Sequence, residues 1–141
     1  ELGLLGDSQH YTDMLAEHWK NTPAFDDAYD FFAKCQLPIY ILTNNDTKYV
    51  EESMNRLELQ PKGIISSEMT HYYKPAKEAF EKALEIIGLD AQEVIYIGDS
   101  LGKDILAAQE VGIQPYFIGQ EHVDDENIKV LETLLDIFQY I

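Results

Sequence analysis

The chain alternates between two spacings of apolar residues. In some segments they recur every three or four positions, which predicts amphipathic helices, and in others they form short unbroken runs, which predict buried strands. The predicted helices cover residues 11–18, 25–32, 50–57, 80–87, 105–111 and 128–138. The predicted strands cover residues 37–43, 63–66, 94–98 and 115–119.

Strands and helices follow one another in turn. This order indicates an α/β fold of Rossmann-like type, with a parallel sheet and helices on both faces. The near-continuous apolar runs agree, because strands that are covered on both faces lack polar alternation. We expect Pro75 in the first turn of one helix and Gly88 at the end of that helix.

Polar side chains follow three of the predicted strands, in the order hydroxyl, lysine and acid. Thr43 and Asn44 end the first strand, Lys74 follows the second, and Asp99 follows the third, with Asp104 five residues later. In parallel sheets the functional groups lie beyond the carboxyl ends of the strands. The sequence therefore predicts that these side chains share one edge of the sheet.

The two acids suggest a cation site. Asp99 at a strand end is a natural ligand for Mg²⁺, which leaves room for water and a phosphate. Asp104, in the first turn of the next helix, can hold a metal-bound water or orient Lys74. The ordinary structural alternative for either acid is a carboxylate that stabilises a helix N-terminus.

The other three residues suggest a phosphate site. Thr43 can donate its hydroxyl to a phosphoryl oxygen, the amide of Asn44 can assist at the start of a helix, and Lys74 can neutralise transferring charge. Each has an ordinary structural alternative. The Thr43 segment is typical turn composition, and most lysines are solvated.

Composition narrows the function classes. With 141 residues, 45% of them hydrophobic, the chain can form one domain with a core. Its net charge of −16 repels phosphate backbones and anionic lipids, so we expect no nucleic-acid or membrane partner. Cys35 is the single cysteine, which excludes an intramolecular disulfide, and the four histidines show no zinc spacing. A cytoplasmic location is the default expectation.

From about Pro23 to Gly119 the chain resembles the haloacid dehalogenase (HAD) superfamily of hydrolases. "IYILTNND" is similar to its second motif, with Thr43 as the phosphate-binding hydroxyl, and "YYKPAKEAFEKALE" to its third, with Lys74. "VIYIGDSLGKDILAAQEVGI" is similar to the fourth motif, with Asp99 as metal ligand and Asp104 as supporting acid. The fourth motif is the most specific of the three.

The resemblance implies a mechanism. An aspartate at the end of the family's first strand attacks phosphorus and forms an aspartyl-phosphate, a second aspartate two positions later acts as general acid and base, and Mg²⁺ is the cofactor. The dehalogenase branch typically carries serine and asparagine where this chain has Gly98-Asp99. The resemblance therefore favours a phosphatase of a small phosphomonoester, such as a nucleotide or sugar phosphate.

The family's first motif, Asp-x-Asp-x-Thr/Val after a hydrophobic strand, is not found in the sequence. Asp7 comes closest, but Gln9 occupies the second acidic position. We therefore expect residues 1–22 to be the C-terminal remnant of a helical cap and residues 23–141 to be a HAD-like core that lacks its first strand. The family's sheet order places that strand between the predicted strands 37–43 and 94–98.

Three explanations of the missing motif remain open. The first is that the sequence is a fragment of a longer enzyme, and the second is that another chain supplies the missing segment. The third is that the protein is a non-catalytic HAD-like binding or scaffold domain. A phospho-acceptor receiver domain is a further α/β possibility. A receiver, however, has its acidic pair after its first strand and its lysine after its last, unlike this chain.

The first prediction is that the 141-residue chain by itself has no phosphatase activity, because the attacking aspartate is missing. The measurement is release of p-nitrophenol from p-nitrophenyl phosphate with and without Mg²⁺. Turnover by purified chain that depends on Mg²⁺ would contradict the prediction.

Overall fold

The computed structural model describes residues 8–120 and 122–141. Asp7, the closest match to a first motif, lies outside them. The helices are α1 (Ser8–Asn21), α2 (Asp26–Lys34), α3 (Thr47–Arg56), α4 (Ser67–Thr70), α5 (Lys77–Ile87) and α6 (Leu106–Glu110). The strands are β1 (Tyr40–Thr43), β2 (Gly63–Ser66), β3 (Ile95–Gly98), β4 (Gln114–Phe117) and β5 (Lys129–Val130).

The strands form two parallel groups. β1 pairs with β2, in the register that sets Thr43 opposite Ser66. β3 pairs with β4, and β4 pairs with β5. Within residues 8–120 and 122–141, no backbone ladder joins β1 to β3. The interruption lies at the position where the resemblance places an additional strand.

Helices cover both faces of the strands, which confirms the predicted α/β fold. Consecutive residues of a strand point to opposite faces. Tyr96 of β3 packs against the cluster of α5 and α6 that includes Phe80 and Ala108, whereas Ile97 packs against the cluster around Phe31 of α2. Phe80 and Ala108 are almost fully buried, so the core continues on either side of β3.

Several boundaries agree with the sequence pattern, but the start of α5 does not. β2 spans the predicted residues, and Gly88 ends α5 in the left-handed conformation (φ 70°), with its N–H donating to the Leu84 carbonyl. The expectation that Pro75 lies in the first turn of α5 is wrong. The Lys74–Pro75 peptide is cis, the Ala76 N–H donates to the Tyr73 carbonyl in a turn, and the helix begins at Lys77.

The predicted helix over residues 128–138 is wrong for residues 128–133, and only its second half is helical. The Leu131 N–H donates to the Phe117 carbonyl, which extends the pairing that makes residues 129–130 a strand. A capping box between Thr133 and Asp136 then starts a 3₁₀ helix, Leu134–Gln139. Apolar residues at helical spacing here fill a core from a strand and a later short helix, so the spacing was misleading.

Helix α1 packs on α3 at its C-terminal end. The rings of Trp19 and Tyr49 lie 6.4 Å apart, and the Arg56 guanidinium donates to the Lys20 carbonyl at 2.7 Å. The predicted apolar face of α1, by contrast, is exposed at Tyr11, Met14 and Leu15. In the part of the chain that the structure describes, no helix is both long and apolar enough to cross a bilayer.

Candidate active site

A buried carboxylate, Asp104, lies at the centre of the site. It is 4% exposed and belongs to a π-helical turn, Leu101–Ile105, that leads from β3 into α6. Its Oδ1 accepts hydrogen bonds from the Lys74 ammonium at 2.6 Å and the Tyr96 hydroxyl at 2.8 Å, and Oδ2 accepts one from the Ser100 N–H at 3.2 Å. Both carboxylate oxygens are therefore engaged, and Asp104 orients Lys74.

Lys74 is held at both ends. Its ammonium donates to Asp104 and, at 2.9 Å, to the Tyr96 hydroxyl, and its side chain is 15% exposed. Its backbone N–H donates to Asn44 Oδ1 at 2.7 Å, and its carbonyl accepts from Asn44 Nδ2 at 3.0 Å. Removing one partner of such a buried ion pair leaves an uncompensated charge, which is strongly destabilising.

Thr43 occupies the predicted place at the end of β1. Its Oγ1 accepts a hydrogen bond from the Asn45 N–H at 3.1 Å, so the hydroxyl proton remains available for another acceptor. The loop that follows is fastened to the end of β2, because Ser67 donates to the Asn44 carbonyl at 3.1 Å and the hydroxyls of Thr47 and Ser66 lie 2.7 Å apart. Thr43 thus has a fixed position beside the Asn44–Lys74 contact.

Asp99 lies close enough for its charge to act on the Tyr96 phenol, but it takes no part in the hydrogen bonds of Lys74 and Asp104. It directly follows β3 and is exposed, and in the described part of the chain its carboxylate makes no hydrogen bond or ion pair. It offers one hard oxygen ligand of the kind that Mg²⁺ prefers. Among the described residues, however, no group of three acidic, histidine or cysteine side chains could hold a metal. The donor set therefore fits one ligand of a magnesium site and not a complete site.

Tyr96 is a site residue that the sequence analysis missed. Burial, together with the charge and hydrogen bond of Asp104, raises the pKa of its phenol well above the ordinary value of 10.0. Its ring meets Phe80 edge-on, with the centroids 5.2 Å apart. Tyr96 is two residues before Gly98 and so shares its face of β3, but a tyrosine within an apolar strand gives no signal of its own.

Gly98 provides the space in which the network forms. Its φ is not positive, so its role is steric. A methyl group added there would overlap Cβ of Asp104 and lie 2.8 Å from its Cγ and 3.0 Å from Cε1 of Tyr96. A residue without a side chain at this position lets both groups approach the strand end.

The chain matches a known protein family over most of its length. A family model described as haloacid dehalogenase-like hydrolase matches residues 7–118. Glyceraldehyde 3-phosphate phosphatase of Methanocaldococcus jannaschii is 32% identical over 111 residues, covering 72% of this chain and 49% of that protein. Phosphoglycolate phosphatase of Chromobacterium violaceum is 25% identical over 118 residues, covering 82% of this chain and 53% of that protein.

A solved structure agrees with these matches. The HAD-hydrolase YfnB from Bacillus subtilis, bound to magnesium, superposes with a TM-score of 0.79 and 26% identity, over 93% of this chain and 60% of that one. This chain therefore spans about half the length of the two curated relatives and somewhat more of YfnB.

The second prediction concerns Gly98. We expect Gly98→Ala to lower the free energy of unfolding by about 1–3 kcal/mol, because the new methyl group displaces Asp104. Gly102→Ala is the matched control, since a methyl group there meets no atom within 4 Å, and alanine favours the helical turn. Urea denaturation measures both, and equal stability of the two variants would contradict the steric role of Gly98.

The third prediction concerns the Tyr96 phenol. The pKa of the phenol is higher in the folded protein than in the unfolded chain, so above about pH 10 the unfolded chain releases the proton first. The contribution of the phenol to stability is therefore complete below about pH 10 and is lost as the pH rises further. We expect the stability deficit of Tyr96→Phe, about 1–3 kcal/mol near pH 8, to shrink between about pH 10 and 11.

Urea denaturation across this range is the measurement. The titratable groups that face the phenol are Lys74, Asp104 and Asp99, and the variant retains all three. A deficit that stays constant with pH would show that the phenol titrates normally in the folded protein.

Proposed function

We propose that the whole protein is a Mg²⁺-dependent phosphatase of small phosphomonoesters, such as a nucleotide or sugar phosphate. The premise is that this chain belongs to the haloacid dehalogenase-like hydrolases, as its match to the family model shows. The observation that carries the proposal is the buried Lys74–Asp104 pair beside Thr43, at the carboxyl edge of the strands. The names of the two phosphatase relatives support a small phosphorylated substrate.

The proposed roles follow from which groups are engaged. Lys74 neutralises charge on the transferring phosphoryl group, and Asp104 holds its ammonium in place. Thr43 donates its hydroxyl to a phosphoryl oxygen. Asn44 binds phosphate through its backbone N–H, because its side-chain amide is taken up by the backbone of Lys74.

Asp99 is the proposed metal ligand. When bound, Mg²⁺ would supply charge compensation at the phosphate oxygens. The magnesium in the YfnB structure supports this cofactor. Asp99 alone is a weak site, so the remaining protein ligands come from the segment that completes the sheet.

That segment is the proposed partner of the interrupted sheet. Among residues 8–120 and 122–141, β1 and β3 each have a ladder on one side only, and unpaired strand edges accept a further strand. We infer that this strand, from the same protein or from another chain, carries the family's two aspartates. The first attacks phosphorus as the second protonates the leaving oxygen, and water then hydrolyses the aspartyl-phosphate and releases inorganic phosphate.

We propose the same two parts of the chain that the sequence predicts. Residues 1–22 are proposed as the C-terminal part of a helical cap and residues 23–141 as the HAD-like core. The contacts between α1 and α3 are those of a segment that returns onto this core.

The fourth prediction tests the proposed function in the whole protein. We expect Lys74→Met to lower kcat/KM for phosphomonoesters by about 10²–10³-fold, since it removes charge stabilisation that acts in a water-poor site. Lys103→Met, which changes an exposed lysine in the same turn as Asp104, is the matched control and should keep wild-type activity. Phosphate release is the readout, and circular dichroism checks the fold of both variants. Lys74→Met combined with Asp104→Asn, which removes both charges of the buried pair, replaces the single variant where that one unfolds.

Wild-type activity in Lys74→Met would overturn the catalytic assignment. A wild-type protein that hydrolyses no phosphomonoester in the presence of Mg²⁺ would overturn the phosphatase proposal itself and favour a binding domain.

A further inference from the structure

We propose that Tyr96 is a positioning residue that fixes the direction of the Lys74 ammonium through its hydroxyl. The inference rests on the proposed function and deepens it. The Lys74 ammonium, the Tyr96 hydroxyl and Asp104 Oδ1 form a closed triangle with sides of 2.6, 2.8 and 2.9 Å. The ammonium donates along two sides, and the phenol donates along the third.

The triangle leaves one direction for catalysis. An ammonium has three N–H donors, and Asp104 and Tyr96 accept two of them. With Asp104 as its one acceptor, the ammonium can pivot about the line that joins Nζ to Oδ1. A second acceptor, the Tyr96 hydroxyl, prevents this movement, so the third N–H points in a defined direction, available to a phosphoryl oxygen.

The phenol is itself immobilised. Its ring lies against Phe80, which is 1% exposed, and its Cε1 faces the space that Gly98 leaves open. Asn44 holds the backbone of Lys74 at the other end of the side chain. A lysine side chain loses rotamer freedom when it is ordered, and these contacts impose that order before substrate arrives.

The chemistry of the phenol excludes a role as a base. Burial raises its pKa, so the hydroxyl keeps its proton and continues to donate to Asp104. Tyr96 is therefore assigned to positioning and not to proton transfer. The carboxylate alone still holds the charge of Lys74 when the hydroxyl is removed, so the expected loss is smaller than for Lys74 itself.

The test is Tyr96→Phe in the whole protein. We expect kcat for phosphomonoesters to fall by about 10-fold to 100-fold, the range expected for one hydrogen bond to a charged group. The matched control is Tyr116→Phe, because Tyr116 is a buried tyrosine of the neighbouring strand with its own core contacts. The control should keep kcat within about twofold.

A second readout follows Lys74 directly. Acetic anhydride labels lysines only in their neutral form, and peptide mass spectrometry compares the labelling rate of Lys74 with that of Lys103 in the same molecule. We expect Tyr96→Phe to raise the rate at Lys74 about threefold or more, since its ammonium loses an acceptor and gains mobility. The rate at Lys103 and both rates in Tyr116→Phe should stay unchanged.

The possible results distinguish a failure of the positioning role of Tyr96 from a failure of the proposed phosphatase function. A fall in kcat together with faster labelling of Lys74 supports the positioning role. Unchanged kcat in Tyr96→Phe, or unchanged labelling of Lys74, overturns it. If the wild-type protein hydrolyses no phosphomonoester, the proposed function fails, and the labelling rate still decides whether Tyr96 fixes the Lys74 ammonium.

Discussion

The ion pair between Lys74 and Asp104 is the contact on which the geometry of the site depends. It joins the segment after β2 to the turn after β3, so it bridges the two groups of strands that no ladder connects in the described residues. The apolar cluster of α5 and α6 supports the same junction, with Leu42 of β1 and Tyr96 of β3 packed against it. The site is therefore assembled by the docking of two halves.

The Lys74–Asp104 ion pair also divides the polar groups of the site into those that hold it in place and those that remain available to a ligand. Within the described ranges, no buried side-chain polar atom lacks a hydrogen-bond partner, which is what burial of an ion pair requires. Asp104, Asn44 and Tyr96 use their side chains to hold Lys74. The hydroxyl proton of Thr43 and the carboxylate of Asp99 are left to act on something else. The residues that hold Lys74 in place are thus different from the residues whose polar groups remain available.

This difference between supporting and available groups explains which residues of the site the sequence could predict. Thr43, Lys74, Asp99 and Asp104 could be predicted as candidate site residues because each lies at or beyond the end of a strand, and parallel strands bring their carboxyl ends to one edge. Tyr96 was not, because a tyrosine inside an apolar run is ordinary strand composition and its contact partner lies 22 residues away.

The two wrong predictions of helix boundaries, at residues 128–138 and at Pro75, have a similar physical origin. Residues 128–138 have helical spacing, but the pairing of β5 with β4 and the Thr133 cap override that local preference. At Pro75, the Tyr73–Ala76 turn that sets Lys74 in place delays the start of α5 to Lys77. In both places a contact that is distant in sequence, or specific to the site, outweighs the local pattern.

The charges of the site argue for its cofactor. A chain with a net charge of −16 repels a phosphate, and Lys74, the cation that the described residues bring to the site, is shared with the Asp104 carboxylate. With Asp99 added, the described carboxylates outnumber the ammonium, so hydrogen bonds from Thr43 and Lys74 would have to hold an anion against a negative local field. A divalent cation at Asp99 reverses that sign. Phosphate binding at this edge of the sheet therefore requires the cation in the proposed function, and the fixed direction of the Lys74 ammonium adds orientation to the attraction that the cation provides.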